Sequence, residues 1–146
     1  MPNLHAIPWQ AWALLSAVFA ALTAIFAKVG VEKINSDFAT LIRTGIIFIV
    51  LSAIVAGTGQ MQPLGTIGKR TYFFLTLSAL ATGASWLCYF RALKIGDAAR
   101  VAPVDKLSVL LVALFGVAFL GERLSVSNWI GVLLIGTGVI LLGMKS

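Results

Sequence analysis

The chain alternates between long apolar stretches and short polar connections, and the stretches have the length of membrane-spanning helices. Five of them occupy most of the sequence, with approximate bounds Trp9–Val29, Asp37–Gly57, Thr71–Leu93, Ala98–Leu120 and Ser127–Met144. A bilayer core about 30 Å thick needs roughly 20 apolar helical residues to cross it. Only helices and closed barrels satisfy their backbone in hydrocarbon, and these continuous runs lack the alternation of barrel strands. The pattern predicts an all-α membrane protein, a five-transmembrane-helix bundle forming one domain over residues 1–146.

Composition supports this prediction. The chain is 60% hydrophobic and 11% charged, which leaves little room for a soluble domain. Met1–Pro8 contains no Lys or Arg, and the apolar run after it is longer than a signal-peptide core, so we expect a retained first helix. The single cysteine, Cys88, cannot form an intrachain disulfide, and we expect its side chain to be buried.

The net charge of +6 does not indicate nucleic-acid binding, because the basic residues are scattered among helix ends. They are better explained as topology signals. Three lie on the side of the N-terminus, Lys69, Arg70 and Arg123. Eight lie on the opposite side: Lys28, Lys33, Arg43, Arg91, Lys94, Arg100, Lys106 and Lys145. This excess favours an outside N-terminus and a cytoplasmic C-terminus. Four of the eight lie within helices or near their ends: Lys28, Arg43, Arg91 and Lys106. Without them the count of basic residues is four against three, so the orientation is weakly specified.

Glycines mark the expected helix contacts of the fifth stretch. Gly131 with Gly138, and Gly136 with Gly143, are each seven residues apart and therefore share a face. Close packing through small residues drives helix association where lipid supplies no hydrophobic force. We expect the fifth helix to include a subunit contact.

Polar and ionisable side chains within the predicted helices are the candidate functional residues. An ionisable group there costs at least about 2.5 kcal/mol on insertion scales, so its presence suggests a function. The candidates come from three helices, and all fall in the same half of the bilayer: Arg43 in the second, Trp86, Tyr89 and Arg91 in the third, and Pro103, Asp105 and Lys106 in the fourth. Lys28 near the end of the first helix falls in the same half.

Two interpretations of this group remain open. In the first, the charges are structural: Asp105 neutralises Arg91, Arg43 or Lys106, and Lys28 pairs with Glu32. In the second, they line a polar cavity open to one face, beside a helix that Pro103 kinks. The excess of basic groups favours an anionic or zwitterionic solute.

Asp105 and Lys106 are neighbours on one helix, and their side chains should point about 100° apart. We therefore expect them to have separate partners, Asp105 facing Arg91 or Arg43 and Lys106 facing the solute. No nucleotide-binding loop, cysteine pair or serine, histidine and acid set is found, so we expect no enzyme activity, no cofactor and no metal.

Several segments together resemble the EamA domain of the drug/metabolite transporter superfamily. They are Trp86–Leu93, Ala98–Ala99 with Val101–Val104, Leu120–Ser125 and Gly131–Val139. Arg43 and the Ala-rich first helix extend the resemblance toward the N-terminus. The resemblance covers essentially the whole chain. It implies gradient-driven transport of a small metabolite across the inner membrane, often as export. Within Leu120–Ser125, Gly121 and Glu122 match a helix-ending motif, so we expect Glu122 to be structural.

Most members of that family carry two five-helix repeats in opposite orientations, whereas this chain resembles a single repeat of the short bacterial and archaeal type. It departs from the small multidrug resistance relatives, which carry a membrane-embedded Glu in helix one; here Glu32 lies at the far end. We expect a homodimer in the lipid bilayer that binds a small-molecule solute and works by alternating access. The two copies can be antiparallel. The alternatives are a non-transporting subunit of a larger membrane complex and a small dual-topology ion channel.

Overall fold

The computed structural model describes residues 8–144, and its regular structure over this range is helical. The α-helices are α1 (Trp9–Val31), α2 (Ser36–Gly57), α3 (Lys69–Ile95), α4 (Ala98–Asp105), α5 (Ser108–Leu120) and α6 (Val126–Gly143). A short 3₁₀ helix, Leu64–Thr66, lies in the longest connection. Of the positions discussed above, residues 1–7 and Lys145 fall outside the described range.

The five predicted spans are confirmed. Helices α1, α2, α3 and α6 are each long and apolar enough to cross a membrane, and α4 and α5 together make the fourth span, Ala98–Leu120. The second span begins where the sequence indicates because Asn35 caps it. Its Oδ1 accepts hydrogen bonds from the backbone N–H groups of Asp37 and Phe38 at 2.8 and 3.2 Å.

The fourth span is two helices, where the sequence predicted one kinked helix. The backbone N–H of Lys106 donates to the carbonyl of Pro103 at 2.9 Å, and that of Leu107 to Val104 at 3.0 Å. These are i to i−3 bonds, tighter than those of an α-helix. Pro103 has no N–H to give to the preceding turn, so the regular ladder is already incomplete there. The break lies at Lys106 and Leu107, just beyond the proline.

Large apolar side chains lie mainly on the outside of the helices. Phe48 is 72% exposed and Phe119 is 80% exposed, and most other large apolar residues of the spans are exposed as well. Water-soluble proteins rarely expose contiguous apolar patches beyond a few hundred Å². An exterior of this kind suits lipid, which agrees with five spanning segments.

The described chain divides into two compact units. One consists of residues 28–95, in which α2 packs against α3. Its most buried large side chains are Val31, at the end of α1, and Leu93, near the end of α3. The other unit consists of residues 8–27 and 96–144, in which α4 and α5 pack against α6.

The glycines of α6 separate into a packed pair and an open pair. A Cβ placed on Gly136 would lie 2.7 Å from Leu110 Cδ2, and one on Gly143 would lie 3.3 Å from Val104 Cγ2. This confirms the predicted close packing for the pair Gly136 and Gly143. Gly131 and Gly138 have no atom within 4 Å of an added Cβ among the described residues.

Helix α5 ends as the sequence predicted, at a glycine in the left-handed region. Gly121 has φ 68°, a conformation that side chains with a Cβ rarely adopt. The backbone N–H groups of Gly121 and Glu122 both donate to the carbonyl of Gly116. The Glu122 carboxylate folds back onto the same glycine, with Oε2 only 2.5 Å from where a Gly116 Cβ would be. A structural role for Glu122 is consistent with this packing.

Candidate functional site

Arg43 and Trp86 form the centre of the candidate site, within the unit of residues 28–95. The guanidinium carbon of Arg43 lies 4.2 Å from the centre of the Trp86 ring and 5.6 Å from that of Phe90. Both distances are within the range of cation–π attraction. Phe90 is buried, whereas Arg43 and Trp86 are half-buried. Arg43 and Trp86, which the sequence placed in the same half of the bilayer, are thus in contact, and Phe90 joins them.

The Arg43 guanidinium has an unused donor. Its Nη1 is buried and has no hydrogen-bond partner among residues 8–144. Buried polar atoms of native proteins are nearly always hydrogen-bonded, so an exception calls for an explanation. A carboxylate or phosphate oxygen is the acceptor that a guanidinium binds most strongly.

Tyr89 lies on the same helical segment as these aromatic residues. Its ring is 6.4 Å from that of Phe90, in an edge-to-face arrangement, and the side chain is half-buried. Tyr89 therefore extends the aromatic cluster along α3 beside the cation–π pair. A phenol can both donate and accept a hydrogen bond, which suits a polar solute.

Arg91 is held by Asp37, whereas the sequence offered Asp105 as its carboxylate partner. Its Nε donates to Asp37 Oδ1 at 2.9 Å, and its Nη2 donates to Oδ2 at 2.7 Å. Such a two-bond pair fixes both distance and orientation. Asp37 is in the first turn of α2 and Arg91 near the end of α3, so the pair joins the two helices that carry Arg43 and Trp86.

Two lysines of the same unit bind helix carbonyls. Lys28 Nζ donates to the carbonyl of Leu93 at 2.8 Å. Lys94 Nζ donates to the carbonyls of Val31, Glu32 and Ile34. These four basic residues are therefore of two kinds. Lys28, Arg91 and Lys94 have internal acceptors, whereas Arg43 Nη1 has none among residues 8–144.

Pro103, Asp105 and Lys106 lie in the other unit, at the break between α4 and α5. Lys106 Nζ is 3.4 Å from Asp105 Oδ2, so the expectation that these neighbours could not pair is wrong. A lysine side chain is long and flexible enough to turn back to the adjacent carboxylate. Both side chains remain partly exposed, at 55% for Lys106 and 36% for Asp105. Arg100 anchors the same short helix by donating to the carbonyl of Met144 at 3.1 Å.

Sequence reasoning missed Asp37 as the partner of Arg91, and also the roles of Lys94 and Phe90. In the sequence, Asp37 was named only as the start of the second span. Its position offered a signal, because α2 begins on the side of the membrane where α3 ends. Cys88 was expected to be buried and is exposed. Among residues 8–144, no group of three or more metal-ligating side chains could hold a metal ion.

The comparisons with known proteins agree with this architecture. The chain is 68% identical over 136 residues to a protein of Sinorhizobium sp named an uncharacterized transporter in the cobO 3′ region, covering 93% of this chain and 96% of that protein. It is 28% identical over 133 residues to an uncharacterized protein of Methanocaldococcus jannaschii, covering 91% of this chain and 94% of the relative. No solved structure matches significantly.

The family model of the EamA-like transporter family matches residues 7–144, which is nearly the whole chain. With the five apolar spans, this match supports a multi-pass membrane protein with a transporter function. The chain belongs to the EamA-like transporter family.

Proposed function

We propose that this protein is a secondary transporter that exports a small polar or anionic metabolite across the inner membrane. The observation that supports this most directly is the buried, unpartnered Nη1 of Arg43 beside Trp86. A solute that enters a membrane protein loses its water, so the site must replace those hydrogen bonds. A donor without an internal acceptor can do so without first breaking a contact of the protein.

In this proposal Arg43, Trp86 and Tyr89 contact the solute, and Arg91 positions them. The pair of Arg91 with Asp37 holds α2 against α3 and so keeps Arg43 over the indole of Trp86. Because Arg43 and Trp86 are already ordered, less free energy is lost in ordering them when the solute binds.

The break in the fourth span is the second part of the proposal. Discontinuous helices commonly form solute sites in transporters, because irregular backbone is tolerated where it lines a cavity. In its unit, Pro103 begins the irregular segment, and the half-exposed Lys106 just beyond it is paired with Asp105. We expect this cation to contribute to flux.

A homodimer completes the transport path. Five helices can line a groove but hardly enclose a path, and the predicted polar residues lie in one half of the bilayer. Two copies in opposite orientation would place one polar cluster near each face, related by an axis in the membrane plane. Alternating access in inverted-repeat transporters uses that arrangement.

Flux measured with the purified protein in liposomes tests the proposal. The panel comprises amino acids, purines and organic anions, and the variants are Arg43→Gln and the control Arg70→Gln. Arg70 also lies over an aromatic ring, 5.8 Å from Phe74, but it is exposed. We expect gradient-driven flux of at least one solute, lost in Arg43→Gln and kept in Arg70→Gln. No flux of any solute would favour a non-transporting subunit, and flux without coupling to a gradient would favour a channel.

A further inference from the structure

We infer that the Arg43 site takes a solute bearing a single negative charge, of the monocarboxylate class, and discriminates against dianions. The inference rests on the proposed function and adds the substrate class to it. It follows from the charges in the unit of residues 28–95, from the partners that several of them have and from the exposure of the others.

Neither carboxylate of this unit forms an ion pair with Arg43. The unit contains two, Glu32 and Asp37. Asp37 accepts two hydrogen bonds from Arg91, and Glu32 is exposed in the connection after α1. A partly buried cation without a counter-charge favours an anion from outside, because attraction is stronger where water is scarce.

The other cations of this unit either have internal acceptors or are exposed. Lys28 and Lys94 donate to main-chain carbonyls, and Arg91 is held by Asp37 at 2.7 Å. Recruiting any of these three would leave its present acceptor unpaired, which costs free energy. The remaining ones are exposed: Lys33, Lys69 and Arg70. Arg43 therefore offers one positive charge, enough for one carboxylate.

The aromatic rings restrict how that carboxylate is approached. Trp86 and Phe90 occupy positions 4.2 and 5.6 Å from the guanidinium carbon, so they cover part of the cation with apolar surface. The second charge of a dianion held at Nη1 would lie beside this apolar surface without a second cation. Unpaired buried charges are strongly disfavoured. An uncharged organic remainder, by contrast, can contact the rings.

Trp86 itself reports binding, which separates this test from the flux assay. The chain has four tryptophans, and Trp9→Phe, Trp12→Phe and Trp129→Phe leave Trp86 as the only one. This variant, reconstituted in phosphatidylcholine vesicles that add no net anionic headgroup, is titrated with propionate, succinate and choline. We expect a saturable change in Trp86 fluorescence with propionate, an apparent affinity for succinate weaker by about tenfold or more, and no response to choline.

The same titration is repeated with Arg43→Lys, Arg43→Gln and Arg70→Gln in the single-tryptophan background, after size-exclusion chromatography has shown that each variant is folded. We expect Arg43→Lys to weaken the propionate response, since a lysine keeps the charge without the planar fork, and Arg43→Gln to abolish it. Arg70→Gln should respond like the parent.

Equal affinities for propionate and succinate would overturn the inference, as would a propionate response that survives in Arg43→Gln. Absence of any response to propionate would overturn it too, whatever the flux assay shows. A normal Trp86 response together with no flux of any solute would refute the proposed transport function and leave the assignment of the anion site intact.

Discussion

Lys28 and Lys94 cap each other's helices at the end where α1 and α3 finish. The amine of Lys28, in the last turn of α1, donates to the carbonyl that precedes Lys94, at 2.8 Å. The amine of Lys94, in the last turn of α3, donates to three carbonyls at the end of α1 and just beyond it, those of Val31 (2.7 Å), Glu32 (3.0 Å) and Ile34 (2.7 Å). Carbonyls at the C-terminal end of a helix lack intrahelical donors and form the negative pole of the helix dipole. An ammonium group there both donates hydrogen bonds to these carbonyls and places a positive charge near the negative pole.

Replacing Lys94 with Met should destabilise this end of the unit. The substitution keeps the length of the side chain but removes three hydrogen bonds, so we expect a loss of about 1–2 kcal/mol in the free energy of unfolding. Thermal or denaturant unfolding in detergent micelles measures it. The matched control is Lys33→Met, at an exposed lysine of the nearby connection, which should change stability little. Equal effects of the two substitutions would contradict the capping role of Lys94.

Asp37 and Arg91 should behave as a coupled pair. We expect Asp37→Asn and Arg91→Gln each to lower stability, and the double variant to lose less than the sum of the two. A charge exchange, Asp37→Arg with Arg91→Asp, should restore only part of the loss, because a cation in the first turn of α2 opposes the helix dipole. The free energies of unfolding of the parent, the two single variants and the double variant supply the double-mutant cycle. Strictly additive losses would mean that the two side chains do not interact in the membrane.

Gly136 and Gly138 provide a direct test of packing on α6. The methyl group of Gly136→Ala would lie 2.7 Å from Leu110 Cδ2. That of Gly138→Ala would have no other side chain or packed backbone within 4 Å among residues 8–144. Overpacking costs typically 1–3 kcal/mol, but Leu110 can move, so we expect about 1 kcal/mol for Gly136→Ala. Gly138→Ala should be neutral or slightly stabilising for the monomer because alanine favours helix.

Shortening Leu110 to Val should relieve the defect of Gly136→Ala, since it removes the carbon that the new methyl approaches. The readout is the unfolding transition of the single and double variants. If the open face of Gly131 and Gly138 forms the subunit contact, Gly138→Ala will lower the dimer fraction in crosslinking without lowering monomer stability.

Asp105 and Lys106 should differ in their effects on transport and on folding. The pair is partly exposed and long at 3.4 Å, so Asp105→Asn should cost well under 1 kcal/mol in stability. Lys106→Ala should reduce flux about fivefold or more while the protein still inserts and folds. The control is Lys69→Ala, at an exposed lysine at the start of α3. Full flux in Lys106→Ala would exclude a contribution of Lys106 to transport.

Labelling of introduced cysteines tests the antiparallel dimer. Cys88→Ala gives a cysteine-free background, into which Lys33→Cys and Gln62→Cys are placed in two connections on opposite sides of a span. If both orientations occur, each cysteine should react partly with an impermeant reagent from either side of the membrane. A single uniform topology would exclude the antiparallel form and leave a parallel dimer or a related partner chain.

The five spans could be predicted from the sequence because each depends on local composition. A run of about 20 apolar residues crosses a bilayer whatever its neighbours do, and caps such as Asn35 and Gly121 act within a few residues of themselves. The family resemblance follows from the same linear order of motifs. Even the association of Arg43 with Trp86 was accessible, since both are placed at similar depth by counting residues along adjacent helices.

The choice of partner for each charge was decided only by tertiary structure. The sequence contains eleven basic and five acidic residues, and depth alone left several pairings open for Arg91 and for Asp105. The packing of α2 against α3 brings Asp37 to Arg91, and the meeting of two helix ends supplies carbonyls to Lys28 and Lys94. Carbonyl acceptors are present in every residue and so carry no sequence signal. Which cation has a buried donor without a partner depends on how the helices pack and cannot be read from the order of residues. Among residues 8–144 it is Arg43.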